Sequence, residues 1–163
     1  YIFNKKSEHN TVSLLCSPND YKYITFLRNP IDRVYSYFNM LKKHKAAPGH
    51  SLANKSIGEF LINSFHAKNL YCQYFSGMPY EIVNQEIYEI ALSNLKKFLF
   101  VGNFEDFNNS FKELCLKLNL ETNTTPHINQ NNYEKINEDQ IKLIANYNRF
   151  DIKLYNEFFN KDI

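Results

Sequence analysis

The residues best suited to chemistry lie in one run, YITFLRNPIDRVYSYF, residues 23–38. The chain has three arginines, and two of them, Arg28 and Arg33, fall inside this run, while lysine supplies most other positive charge. Tyr23–Leu27 reads as strand, and the pattern turns helical from Pro30. Asn29 is a good N-cap, Pro30 suits the first helical position, and Asp32 complements the N–H groups of the first turn. A strand that ends on Arg28 and turns straight into a helix is a natural anion holder. Free backbone N–H groups and the positive end of the helix dipole meet the anion there. Arg28 can aim a planar fork of donors at the same spot. Ser36, two turns on, is expected on the polar face with Asn29 and Arg33 and offers a hydroxyl donor. Arg28 and Ser36 therefore form a candidate phosphate clamp. Arg33 suits an i,i+4 or interhelix ion pair as well as a ligand, and the structural role is favoured.

The elements that must hold this clamp follow from periodicity. Residues 21–27 read as a buried strand, and residues 30–44 as a helix with Ile31, Val34, Tyr35, Phe38 and Leu41 on one face. Ala46-Ala47-Pro48-Gly49 ends that helix and opens a loop to about residue 54. Helical patterns follow over 56–64, 66–75 and 81–96. Residues 97–102, KFLFVG, read as a second buried strand of the same sheet. Another amphipathic helix spans 104–118, a polar loop covers 121–132, and 137–160 is helical with a break near Asn148. Strands separated by helices predict an α/β fold with a mainly parallel sheet flanked by helices and a helix-rich C-terminal half, in a single domain over residues 1–163.

Composition narrows the function classes. The formal net charge of +2 argues against a nucleic-acid partner, which calls for a strong basic excess on one face. No apolar run approaches the roughly 20 residues that span a bilayer, and nothing at the N-terminus reads as a signal peptide. Cys16, Cys72 and Cys115 are widely spaced and fit neither a metal knuckle nor a disulfide framework, so buried free thiols are expected.

The run Arg28-Asn29-Pro30-x-x-Arg33-x-x-Ser36 resembles the 3′-phosphate-binding motif of sulfotransferases, R-[DN]-P-x-x-R-x-x-S after a strand. The nearest branch is the carbohydrate sulfotransferases related to heparan sulfate 2-O- and 6-O-sulfotransferases. Three further segments are similar in the same order. They are Ala67–Gly77, the stretch from Ala91-Leu92-Ser93-Asn94-Leu95 through Val101-Gly102-Asn103-Phe104-Glu105, and Asp151-x-x-Leu154-Tyr155. The resemblance implies a P-loop-type sheet and transfer of a sulfuryl group from 3′-phosphoadenosine 5′-phosphosulfate to a carbohydrate or glycolipid hydroxyl, with no metal. Arg28 and Ser36 would hold the donor's 3′-phosphate.

Family members place a His or Glu upstream of the phosphate motif as base for the attacking hydroxyl. Here the matching stretch is Glu8-His9-Asn10-Thr11, which assigns His9 the catalytic role. Glu8 is the alternative base or an orienting group. A neutral imidazole with an ordinary pKa of about 6.5 can accept a proton at neutral pH. The resemblance also calls for an upstream phosphate loop of the P-K-x-G-[ST] type. The glycines Gly49, Gly58, Gly77 and Gly102 are isolated and none opens such a loop, so an N-terminal strand and loop are expected to precede Tyr1 in the intact protein.

Other features carry blander readings. Lys42-Lys43-His44-Lys45 can meet an acidic glycan but more simply complements a helix C-terminus. His127 falls in a loop and reads as surface. His44, His50 and His66 have no metal-ligand spacing. Two competing functions remain: an inactive nucleotide- or glycan-binding relative of the same fold, and a nucleotide kinase with Arg28 on the transferred phosphoryl group. The kinase ranks last because neither strand ends on Asp. Heavy use of Asn, Lys, Ile and Tyr points to an AT-rich genome, with a cytoplasmic location if bacterial. A eukaryotic member would sit on the lumenal side of the Golgi membrane.

Overall fold

The computed structural model describes residues 22–121 and 135–159. Glu8, His9, Cys16 and His127 lie outside the described residues. The chain is mixed α/β and mostly helical, with one small parallel sheet among the described residues. Strand β1, Ile24–Leu27, pairs with β2, Phe100–Asn103, in the register Ile24↔Phe100 to Leu27↔Asn103. Backbone bonds extend the pairing by a residue at each end, from Leu99 N–H to the Tyr23 carbonyl and from Phe104 N–H to the Leu27 carbonyl. Because the strands run parallel and in step, Arg28 and Phe104 leave the same edge of the sheet side by side.

Helix α1, Pro30–Lys43, starts as its local chemistry dictates. The Asn29 side chain accepts from the Ile31 and Asp32 N–H groups, and Pro30 fills the first position. Its apolar face buries Ile31, Val34, Phe38 and Leu41. These side chains pack on α2 (His50–Ala53), α3 (Ile57–Asn63) and Ile144 of α7 (Glu138–Tyr147). A second core joins Leu27 to α4 (Leu70–Ser76), α5 (Gln85–Leu95) and Leu154 and Tyr155 of α8 (Arg149–Phe159). Helix α6, Phe107–Lys117, follows β2. Cys72 and Cys115 are buried free thiols, as the composition suggested.

Four local readings need correction. Strand burial is only partial: Leu27 and Gly102 are buried, while Ile24 is 45% exposed. The second strand begins at Phe100, three residues later than its apolar run. The helix expected over 66–75 is a short 3₁₀ turn, Phe65–Ala67, and then α4, because Asn69 between them takes a left-handed conformation with φ 44°. The helix expected from 81 starts at Gln85, where the Asn84 side chain caps the Ile87 N–H. In addition, the short helix α2 forms inside the expected loop, held by a 2.7 Å bond between the His50 Nδ1 and the Leu41 carbonyl.

Candidate anion site at the sheet edge

In open parallel sheets, ligands bind in the crevice beyond the carboxyl ends of the strands. Arg28 and Glu105 stand at that edge, one after each strand. The Arg28 guanidinium lies over the Phe104 ring, 5.5 Å from its centroid. Among the described residues it makes no hydrogen bond and no ion pair. Its backbone, by contrast, is held firmly. The Arg28 N–H donates to the Tyr71 hydroxyl at 3.1 Å, and that hydroxyl donates to the Arg28 carbonyl at 3.0 Å.

The start of α1 is not the open anion cradle that the sequence suggested. Asn29 itself takes the Ile31 and Asp32 N–H groups, and the Asn29 N–H donates to Glu105 Oε1 at 2.8 Å. The other carboxylate oxygen of Glu105 accepts from the Tyr155 hydroxyl at 2.6 Å. A carboxylate from the neighbouring strand therefore already complements the helix N-terminus. What remains for an external anion is side-chain chemistry. Asp32 sits near enough for Arg28 and Glu105 to act on its charge: burial pushes its carboxyl above the ordinary value, Arg28 opposes this, and Glu105 adds to it. Ser36 lies one turn along the same helix face as Asp32, half-buried, with no hydrogen bond among the described residues.

Arg33 has the opposite fate from Arg28. It turns into the seam between the two cores rather than sharing the polar face with Ser36. Its guanidinium donates to the His66 carbonyl at 3.0 Å and to Asn148 Oδ1 at 3.3 Å, and stands 3.8 Å from the fully buried Asp151 carboxylate. It also lies over the Tyr71 ring at 5.3 Å. The interhelix ion pair is thus the role the structure gives it.

Around Arg33 two helices cap each other. Asp151 of α8 accepts the Tyr71 and Cys72 N–H groups of α4, each at 2.9 Å. Asn69, just before α4, accepts the Phe150 and Asp151 N–H groups of α8 at 3.0 and 3.2 Å. Asn148 completes the seam with all four of its hydrogen-bonding positions filled. Its oxygen takes the Asn69 N–H and Arg33, and its amide donates to the Ala67 and Ile144 carbonyls. Burial still dominates at Asp151, holding its carboxyl above the usual range despite Arg33 and the two N–H donors. Burial and the same carboxylate push the Cys72 thiol up, so it stays protonated.

Sequence reasoning gave no role to Tyr71, Glu105, Asn148 or Tyr155. Asp151 carried a readable signal: it sits one turn before Leu154 and Tyr155, so a charge falls on an apolar stripe and needs a buried partner. Residues from four separate segments meet at this edge and its support: Arg28, Asn69 with Tyr71, Asn103 with Glu105, and Asp151 with Tyr155, whose hydroxyl also lies 3.2 Å from Asn103 Oδ1. No family model matches the chain, and no curated protein is significantly similar to it.

Proposed function

We propose that this chain is the sulfotransferase-type domain of a carbohydrate sulfotransferase, with a P-loop-type fold, and that Arg28 binds the 3′-phosphate of 3′-phosphoadenosine 5′-phosphosulfate. The observation that carries this reading is the contrast between the two arginines of the motif. Arg33 is consumed by the protein's own carboxylate and carbonyls. Arg28 projects from the carboxyl edge of a parallel pair with no side-chain hydrogen bond and no salt bridge among the described residues, although its charge acts on the nearby Asp32 carboxyl. A guanidinium held at its backbone but unpaired at its fork is suited to a bidentate oxyanion. Ser36 adds, two turns along the helix, a hydroxyl that makes no hydrogen bond among the described residues. The reaction forms a bond from sulfur to an acceptor hydroxyl oxygen as the bond to the 5′-phosphate breaks. The acceptor's proton passes to a base, the role proposed for His9, with Glu8 as the alternative.

Calorimetry with 3′-phosphoadenosine 5′-phosphate, with adenosine 5′-phosphate as control, tests the clamp. A charge-assisted hydrogen bond is worth about 1.5–3 kcal/mol, so Arg28→Ala should weaken binding about ten- to a hundredfold. Adenosine 5′-phosphate should bind weakly to both proteins. Equal affinity for the two nucleotides, or an unaffected Arg28→Ala variant, would overturn the assignment. Nucleotide binding without sulfuryl transfer to any polysaccharide acceptor would leave the chain as a binding relative of the fold.

A further inference from the structure

We propose that Tyr71 is the positioning residue of the anion clamp, its hydroxyl fixing the backbone from which the Arg28 guanidinium projects. This rests on the reading of Arg28 as the anion ligand. In a parallel strand, the backbone groups of successive residues face opposite edges. The Tyr23 and Leu27 carbonyls face β2, where they accept the Leu99 and Phe104 N–H groups. Arg28 therefore faces the other edge, and there one hydroxyl satisfies both its N–H and its carbonyl. Tyr71 thus stands where a further strand would continue the ladder, and it lets the chain turn into α1 without leaving the Arg28 peptide unpaired.

Tyr71 is itself immobilised. Its N–H is held by Asp151, its ring lies beneath the Arg33 guanidinium, and α4 and α8 cap each other around it. The hydroxyl holds its proton across the working range, because burial pushes its pKa up to about 12. Arg33 and Asp151 thereby act on the clamp indirectly: they fix Tyr71, and Tyr71 fixes Arg28. Glu105 holds the same Arg28–Asn29 peptide from its N–H side by accepting the Asn29 N–H, backed by Tyr155.

Tyr71→Phe keeps the ring and removes only the hydroxyl. Its affinity for 3′-phosphoadenosine 5′-phosphate should fall about tenfold, the upper range for loss of a hydrogen-bonding hydroxyl. The same substitution in an Arg28→Lys background should cost less than half as much on a logarithmic scale, because a point-charge ammonium needs less orientation than a planar fork. A merely structural role would lower affinity equally in both backgrounds, and that result, or an unchanged affinity, overturns the inference. If the nucleotide binds neither this chain nor a chain extended upstream with the expected phosphate loop, the sulfotransferase reading fails. Inorganic phosphate, titrated against the Arg28 side-chain N–H resonance in wild type and Tyr71→Phe, then decides the positioning role. A weaker response in the variant supports it, and identical curves overturn it.

Discussion

Replacing Arg33 by methionine tests the assignment of this arginine to the fold rather than to a ligand. The change removes the only cation within ion-pair distance of Asp151 among the described residues while keeping an unbranched, apolar stem in the seam. The Asp151 side chain is fully buried and that of Arg33 is 13% exposed. Breaking a buried pair by removing one partner costs about 3–5 kcal/mol. Asp151 keeps the Tyr71 and Cys72 N–H donors and Asn148 keeps the Asn69 N–H, so the lower end, about 3 kcal/mol, applies. That is a large part of the roughly 5–15 kcal/mol available to an ordinary domain, and it should lower the melting temperature by about 6–12 °C.

The pH dependence has a definite sign. The folded-state pKa of Asp151 is raised above 3.8, so its contribution to stability is full below that value and is lost as pH rises through the higher folded value. Without Arg33 the folded value rises further, so the penalty of the variant should grow from acid toward neutral pH. Urea unfolding followed by circular dichroism at several pH values measures this. A variant within about 1 kcal/mol of wild type at neutral pH, or one whose deficit does not shrink on acidification, would refute the buried pair as a determinant of the fold.

Two further substitutions probe the site and the sheet. Asp32→Asn should tighten binding of 3′-phosphoadenosine 5′-phosphate about three- to tenfold at neutral pH, from Coulomb repulsion removed near the phosphate. A bound anion raises the Asp32 pKa further, so wild-type affinity should increase as pH falls through the range above 3.8 and the variant should lack that part of the slope; calorimetry across pH would refute this by giving parallel curves. Gly102→Ala would place a Cβ 2.5 Å from Phe26 Cδ1 and 2.8 Å from Phe100 Cε1, so aromatic rings must move. A loss of about 1–3 kcal/mol in urea unfolding is expected, and an unchanged midpoint would mean that the rings repack freely.

What could be read in the sequence was what local chemistry determines. Asn29-Pro30 specifies the start of α1 because cap and first turn are contiguous, and the break at Asn148 shows as an interruption of one apolar stripe. The split of the 66–75 helix could not be read in this way. Asn69 leaves the helical conformation because its N–H goes to Asn148 and its side chain caps α8, partners about eighty residues away in the chain. Glu105 hides in the same manner: by sequence it opens a helix, while in the fold it occupies the Asn29 N–H that an external anion was expected to use.

The motif itself shows where local reading stops. Arg28 and Arg33 belong to one motif, and the place of Arg33 one turn inside the helix suits an ion pair as well as a ligand, which favours a structural role without naming its partner. The partner is Asp151, brought to α1 only when α4 and α8 cap each other. Once that seam forms, Arg33 is turned toward Asp151, the His66 carbonyl and Asn148, with its Nε buried and without a hydrogen-bond partner among the described residues, and Tyr71, fixed by the same seam, holds the Arg28 backbone at the sheet edge. The network that engages Arg33 thus also holds the tyrosine that pairs with the Arg28 backbone. Loss of Arg33 should therefore weaken anion binding as well as stability, and the residual binding should still depend on Arg28.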